Sequence, residues 1–171
     1  MTRHAASLPI NILTMKDLTI ATPIKVAAYA ELDEADRQLV DAAREASSRT
    51  YSPYSHFGVG AAIRLSNGET VTGANQENAA FPSSMCAERT AAYYAHAAYP
   101  DARFESIAIA AIGTDGKEVA EPVSPCGACR QALLEYEHLG AADVRVLLVG
   151  RDDIYILPSV RSLLPLSFTE F

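Results

Sequence analysis

Residues 107–149 read IAIAAIGTDGKEVAEPVSPCGACRQALLEYEHLGAADVRVLLV, and this stretch decides the architecture. Ile107 to Ile112 is a short, wholly apolar run, the pattern of a strand covered on both faces. Gly113 to Val123 has the composition of a loop. Gly127 to His138 reads as a helix, with Gly140 expected as the C′ residue that stops it. Val144 to Val149 is again a buried strand. Buried strands alternating with helices imply a sheet sandwiched between helical layers, an α/β architecture.

Upstream, Cys86 to Ala98 is rich in Ala and Tyr, meets no breaker until Pro100, and reads as another helix. Phe57 to Leu65 is strand-like, Ser66-Asn67-Gly68-Glu69 supplies hairpin turn chemistry, and Glu69 to Ala74 is the return strand. Asp33 is a natural N-cap for a helix whose Leu39, Val40, Ala43 and Ala46 share one face and which ends near Ser48. Downstream, Ile154 to Leu157 completes the strands and Val160 to Leu164 forms a short final helix. Lys16 to Ala30 alternates apolar positions (Leu18, Ile20, Ile24, Val26) and reads as extended chain broken at Pro23. Met15-Lys16-Asp17 reads as a start, which makes residues 1–14 a disordered extension. Residues 1–32 are accordingly expected to be an N-terminal extension, partly extended or disordered, ahead of one compact domain over 33–171.

Hydrophobic residues make up 49% of the chain and charged residues 20%, a globular balance that excludes a disordered chain. No apolar run approaches the roughly 18 residues that span a bilayer. No signal-type apolar region precedes a small-residue cleavage site, so a soluble, cytoplasmic protein without a membrane partner is expected. Net charge is −7, from 21 acidic against 14 basic residues, and no Lys/Arg run is present. That balance argues against a nucleic-acid partner and favours a small neutral substrate. The three cysteines are an odd number for a disulfide framework. In a reducing compartment, Cys126-x-x-Cys129 binds metal or does redox chemistry.

Three pieces carry the chemistry: Cys86-Ala87-Glu88, then Pro125-Cys126-Gly127-Ala128-Cys129, and the arginines Arg89 and Arg130. Each cysteine group falls at the start of an expected helix, where unpaired N–H groups and the helix dipole stabilise thiolates. Two such starts, if they converge, bring Cys86, Cys126 and Cys129 to one point. Three ligands with no evident fourth is the pattern of a catalytic zinc site, which leaves a position to water. Two alternatives stay open on spacing alone: His56, His96 or His138 closing a structural site, or a redox dithiol. The Cys-x-Glu upstream, and the Pro directly before the second group, match the zinc-deaminase arrangement.

Four blocks, in order, resemble the small cytidine deaminases: Tyr54-Ser55-His56-Phe57-Gly58-Val59-Gly60-Ala61-Ala62, Asn75-Gln76-Glu77-Asn78-Ala79, Cys86-Ala87-Glu88-Arg89-Thr90 and Ser124-Pro125-Cys126-Gly127-Ala128-Cys129-Arg130-Gln131. Leu163 to Phe168 is similar too, so the likeness covers about Glu34 to Phe168. It implies a three-layer α/β/α sandwich with a mixed central sheet, and a catalytic domain over 33–171. It implies Zn2+ on Cys86, Cys126 and Cys129, hydrolysis of cytidine or deoxycytidine to uridine or deoxyuridine plus ammonia, a place in pyrimidine salvage, and a homotetramer.

The resemblance also assigns roles. Glu88 is the proton shuttle: N3 of cytosine must gain a proton and the amine must leave as ammonia, transfers one carboxyl group can perform in turn. Three thiolates on a divalent cation leave a net negative charge that a hydroxide deepens. Two helix N-termini of about +0.5 each and one guanidinium restore approximate neutrality, so a water pKa can still fall toward about 7. Arg89, three residues after Cys86, matches the family residue with this part, and Arg130, four after Cys126, is the second candidate. Asn75 and Glu77 match residues that hydrogen-bond ribose hydroxyls, which suits a donor-acceptor amide and an accepting carboxylate. Phe57 matches an aromatic against the pyrimidine, Ala87 lends its N–H to the base carbonyl, and Ser124 and Pro125 line the leaving-group side. Phe168 matches a residue that reaches a neighbouring subunit's site. The chain departs from the family pattern in its first 32 or so residues, in Pro82-Ser83-Ser84, and in the length of the Gly113 to Glu121 loop. The rival readings are a relative acting on another amine or on a base within nucleic acid, a non-catalytic zinc-stabilised binding protein, and a dithiol oxidoreductase.

Overall fold

A computed structural model of the chain describes residues 15–169, so the expected disorder of residues 1–14 lies outside the described residues. Among the described residues three α-helices and six strands follow in the order β1 (Lys25–Ala27), α1 (Glu34–Ser47), β2 (Gly58–Leu65), β3 (Thr70–Ala74), α2 (Ala87–Ala98), β4 (Phe104–Ile112), α3 (Gly127–Leu139), β5 (Arg145–Val149) and β6 (Ile154–Leu157). Short 3-10 turns occupy Tyr29–Glu31, Phe81–Ser83 and Val160–Leu163. The strands form one sheet in the order β1-β6-β5-β4-β2-β3. Only β4 and β5 pair in parallel; the other neighbours are antiparallel, so the sheet is mixed.

This topology fixes where the two cysteine-bearing helices begin. β3 and β4 both flank β2 antiparallel to it, so they run the same way, and β5 runs with them. Parallel strands need a crossover connection, and α2 (from β3 to β4) and α3 (from β4 to β5) are those connections. Both helices therefore start at the same end of the sheet, beyond the carboxyl ends of β3 and β4. They also share a face. Ala87, Ala91, Ala92 and Ala95 of α2 and Leu133 and Leu134 of α3 pack with Ile63, Ile107, Ile109, Val146 and Leu148. On the other face Leu39, Val40 and Ala43 of α1 pack with Ala62, Ala108, Ala110, Leu147 and Val149. The period of two in β4 sends Ile107 and Ile109 one way and Ala108 and Ala110 the other, which makes three layers.

Two glycines set how closely the helices lie. A Cβ at Gly60 would stand 2.2 Å from Ala43 O and from Ser47 N of α1. One at Gly73 would stand 2.5 Å from Ala87 O and Ala91 N of α2. Backbone occupies the place of a side chain at both positions, and at Gly73 it is the first turn after Cys86.

Most expected elements are present. Asp33 caps α1 by accepting from Asp36 N at 2.8 Å, and Ser48 is the helix's C-cap. The hairpin turn places Gly68 at φ +88°. Gly140 differs from expectation: it follows α3 with φ −76°, and the left-handed residue is Ala141 at φ 47°. Space accounts for the glycine there, since a Cβ would meet Arg103 Cβ at 3.1 Å and Tyr136 O at 3.2 Å. The extended reading of Lys16 to Ala30 holds as strand only over Lys25–Ala27, which joins the sheet by pairing with β6. Among the described residues no helix is long and apolar enough to cross a membrane.

The Gly73 contact yields a direct test. Gly73→Ala forces backbone against backbone and is expected to lower stability by roughly 1–3 kcal/mol in urea unfolding. A wild-type midpoint would mean that α2 and β3 are not in this contact.

Candidate active site

Cys86 and Cys126 are the N-caps of α2 and α3, and neither cysteine side chain makes a capping hydrogen bond. Because those starts converge, the three sulfurs all lie within 4.8 Å of one another. Cys126 Sγ is 3.5 Å from Cys129 Sγ and 3.9 Å from Cys86 Sγ. Sulfurs at two corners of a tetrahedron about zinc, with Zn–S near 2.3 Å, are separated by roughly 3.8 Å. The donor set and spacing thus fit a zinc ion. Among the described residues no histidine joins the cluster, so the structural-site alternative with His56, His96 or His138 finds no fourth ligand here.

The electrostatics point the same way. The hydrogen bond from Cys129 and the nearby Arg89 guanidinium bring the Cys86 thiol down to about 5, against burial. Those same sulfur contacts, with burial and the charge of Glu88, hold the proton on Cys129 well above the usual thiol range. Thiols this close behave as one coupled acid: the first proton leaves readily and the next anion is opposed by the first. A divalent cation removes that opposition. Arg89 Nη2 lies 3.7 Å from Cys86 Sγ, and this contact keeps the guanidinium firmly protonated. Glu88, in the first turn of α2, is 4% exposed. Burial raises its carboxyl pKa above the ordinary value, and the Cys86 charge adds to the rise.

Arg130 is placed otherwise than expected. Its guanidinium donates to Pro125 O at 2.8 Å, Ser124 Oγ at 2.9 Å and Leu163 O at 2.9 Å, leaving the sulfur contact to Arg89. Pro125 is buried and Ser124 exposed, both on the segment leading into Cys126. Gln131 donates to Phe168 O at 2.8 Å, and the Phe168 side chain is exposed.

A cleft of about 400 Å3 opens beside Cys86 and Arg89, with Asn75 and Glu77 in its wall. That volume suits a small ligand. The carboxyl end of β3 supplies both residues, and its next backbone pairing positions Cys86: Gln76 N donates to Met85 O at 2.8 Å and Met85 N to Gln76 O at 2.9 Å. Asn75 Oδ1 accepts from Val59 N at 2.7 Å while its Nδ2 donates to Phe57 O at 3.0 Å. Glu77 Oε2 accepts from Tyr54 N at 2.8 Å and Ser55 N at 3.2 Å. The Ser55 hydroxyl first, and then the Tyr54 N–H, lower the Glu77 pKa. Both side chains thus fasten the loop that carries half-buried Phe57, with His56 at φ 54° inside it. Ala87 is buried at the first position of α2.

The structure gathers the three cysteines, Glu88 and Arg89 at one end of the sheet, with Asn75 and Glu77 beside them. Sequence reading did not find Tyr54 and Phe81 as cleft residues, though their rings meet edge to face at 5.8 Å. The aromatic at 54 stood inside a recognised block; nothing in the spacing pointed to Phe81. A second cavity, of about 230 Å3 by His96 and Tyr136, lies at the far ends of α2 and α3, away from the sulfurs.

Comparison with known proteins agrees with this geometry. The cytidine and deoxycytidylate deaminase zinc-binding region matches residues 33–144. A curated cytidine deaminase of Halalkalibacterium halodurans is 42% identical over 136 residues, 78% of this chain and 95% of the relative. Among solved structures, the cytidine deaminase of Burkholderia pseudomallei is similar at a TM-score of 0.65 and 36% identity, over 80% of this chain and all of that one (100%). The cytidine deaminase of Mycobacterium tuberculosis is similar at 0.61 and 30% identity, over 81% of this chain and 100% of its own. With three sulfurs spaced for zinc and a buried carboxyl group in the adjoining helical turn, the chain belongs to the zinc-binding cytidine and deoxycytidylate deaminase family.

Proposed function

We infer that this protein hydrolyses the exocyclic amine of cytidine or deoxycytidine, releasing ammonia and leaving uridine or deoxyuridine, as a step of pyrimidine salvage. The observation that carries the reading is the sulfur triangle at two joined helix starts, with Glu88 two residues beyond Cys86. Cys86, Cys126 and Cys129 would hold the zinc. Bound there, zinc supplies a water acidified enough to act as a nucleophile near neutral pH. The chain's own residues do the rest. Glu88, whose burial favours the protonated form, gives its proton to N3 of the base, regains one from the hydroxyl that has added to C4, and passes that proton to the departing amine. Arg89 offsets the thiolate charge. Ala87 offers its backbone N–H to the base carbonyl, Phe57 packs on the ring, and Ser124 and Pro125 bound the side from which ammonia departs.

Asn75 and Glu77 receive the ribose hydroxyls. Glu77, its carboxylate already steadied by Tyr54 and Ser55, is the natural acceptor. The chain assembles as a homotetramer in the cytoplasm, with Phe168 reaching toward a neighbouring copy's site. Residues 33–171 form the catalytic domain, and the preceding extension contributes the edge strand β1. The charge of −7 supports a free nucleoside over a polynucleotide.

Purified protein is expected to carry about one zinc per chain and to release ammonia from cytidine or deoxycytidine while sparing an oligonucleotide. Metal-free protein with full turnover would sink the mechanism. Glu88→Gln should retain zinc and lose roughly 10²- to 10⁴-fold in kcat; an active variant would disprove the shuttle. Arg89→Gln should hold zinc less tightly against a chelator or turn over more slowly, and wild-type behaviour in both assays would assign the charge balance to another group.

A further inference from the structure

Arg130 connects two segments that are far apart in sequence. Its Nε and Nη2 engage Pro125 O and Ser124 Oγ, and its Nη1 engages Leu163 O, 33 positions away. Among the described residues it supplies the hydrogen bonds made by the 123–125 backbone and by the Ser124 hydroxyl. Leu163 ends the 3-10 turn Val160–Leu163. About two turns further along α3, Glu137 takes the other end of that turn. Glu137 Oε2 accepts from Val160 N at 2.7 Å and from Val144 N at 3.0 Å, and its Oε1 accepts from Arg161 N at 3.1 Å. The carboxylate is 5% exposed.

The signs follow the turn's own polarity, with an anion at its free N–H groups and a cation at its last carbonyl. Within the turn, Ser162 N reaches Ser159 O and Oγ at 3.2 Å each, the two serine hydroxyls meet at 2.9 Å, and Leu164 N reaches Arg161 O at 3.0 Å, while Val160 N and Arg161 N depend on Glu137. α3 therefore frames the turn from both ends, and the Arg130 end of the frame is also the wall beside Cys126. Gln131 extends the attachment to Phe168 O.

We propose that Arg130 is a positioning residue of the deamination site, a strut that with Glu137 holds the Ser124–Pro125 wall and Cys126 in register with the C-terminal turn. For its effect on turnover this rests on the deaminase reading; the mechanical coupling does not. The guanidinium acts through its fork and not its charge. Its donors point in three directions that a lysine ammonium cannot span together. A wall that shifts moves the leaving-group side relative to the sulfurs, and small displacements of that kind are costly in rate.

The test uses the full chain as Arg130→Lys, which keeps the charge. Amide exchange by mass spectrometry at Arg130, whose N–H donates to Cys126 O, and at 160–164 is expected to accelerate roughly 10-fold or more. Zinc content should stay near one per chain, while kcat for cytidine falls roughly 10- to 100-fold and KM stays within about 3-fold. Wild-type exchange in these segments, or wild-type kcat, overturns the proposal. Glu137→Gln is the second arm, and it decides the matter should Arg130→Lys fail to fold. Glu137 contacts neither Ser124 nor Cys126, yet its replacement should quicken exchange at the Arg130 amide that closes on Cys126 O. Unchanged exchange there equally overturns the strut. A wild-type chain that loads zinc but leaves cytidine untouched defeats the deaminase reading instead, and the exchange arms still decide the coupling.

Discussion

The structure depends on one constraint: α2 and α3 must begin at the same edge of the sheet and lie close enough for their first residues to touch. Chain topology provides the first condition, because both helices are crossovers between strands that run the same way. Small residues provide the second. The face of α2 is built from Ala87, Ala91, Ala92 and Ala95, and Gly73 lets its first turn rest on β3. Larger residues there would lift α2 off the sheet and carry Cys86 away from Cys126. The metal site is in this sense a product of packing, and the cysteines report where two helix axes have been brought.

That dependence explains what could be read from the sequence. The strands and helices were legible because their patterns are local: a wholly apolar run at 107–112, a capping Asp33, a glycine turn at 67–68. The cysteine triangle was legible because each sulfur sits at a helix start, and helix starts have sequence signals. The bounds of β1 were not, since within the extended stretch Lys16 to Ala30 the three residues that form strand are set by pairing with β6, which their own identities do not announce. Gly140 was read as a left-handed stop because glycine usually earns that place, but here it makes room for Arg103 and Tyr136.

Arg130 shows where spacing arguments stop. Its distance from Cys126 along the helix permits a sulfur contact, and three better acceptors, two of them backbone carbonyls, take the guanidinium instead. Carbonyl positions are set by tertiary folding and leave no trace in residue identity. Asn75 and Glu77 carry the same lesson. The residue types are right for hydroxyl recognition, yet each already holds backbone beside the cleft, Glu77 at Tyr54 N and Asn75 at Val59 N and Phe57 O. Recognition and loop geometry are therefore joined at the end of β3, so a change at either residue acts on both.

Cys86 and Cys126 are 40 positions apart, and Cys129 is three further on. Zinc shared among them is a cross-link as well as a reagent: it ties off a loop of the polypeptide much as a covalent bridge would, and narrows the range of shapes open to the denatured chain while it stays bound. Unlike a bridge between sulfurs, it comes off when the free ion becomes scarce. The resistance of this chain to unfolding is consequently shared with its surroundings, rising and falling with the metal they hold.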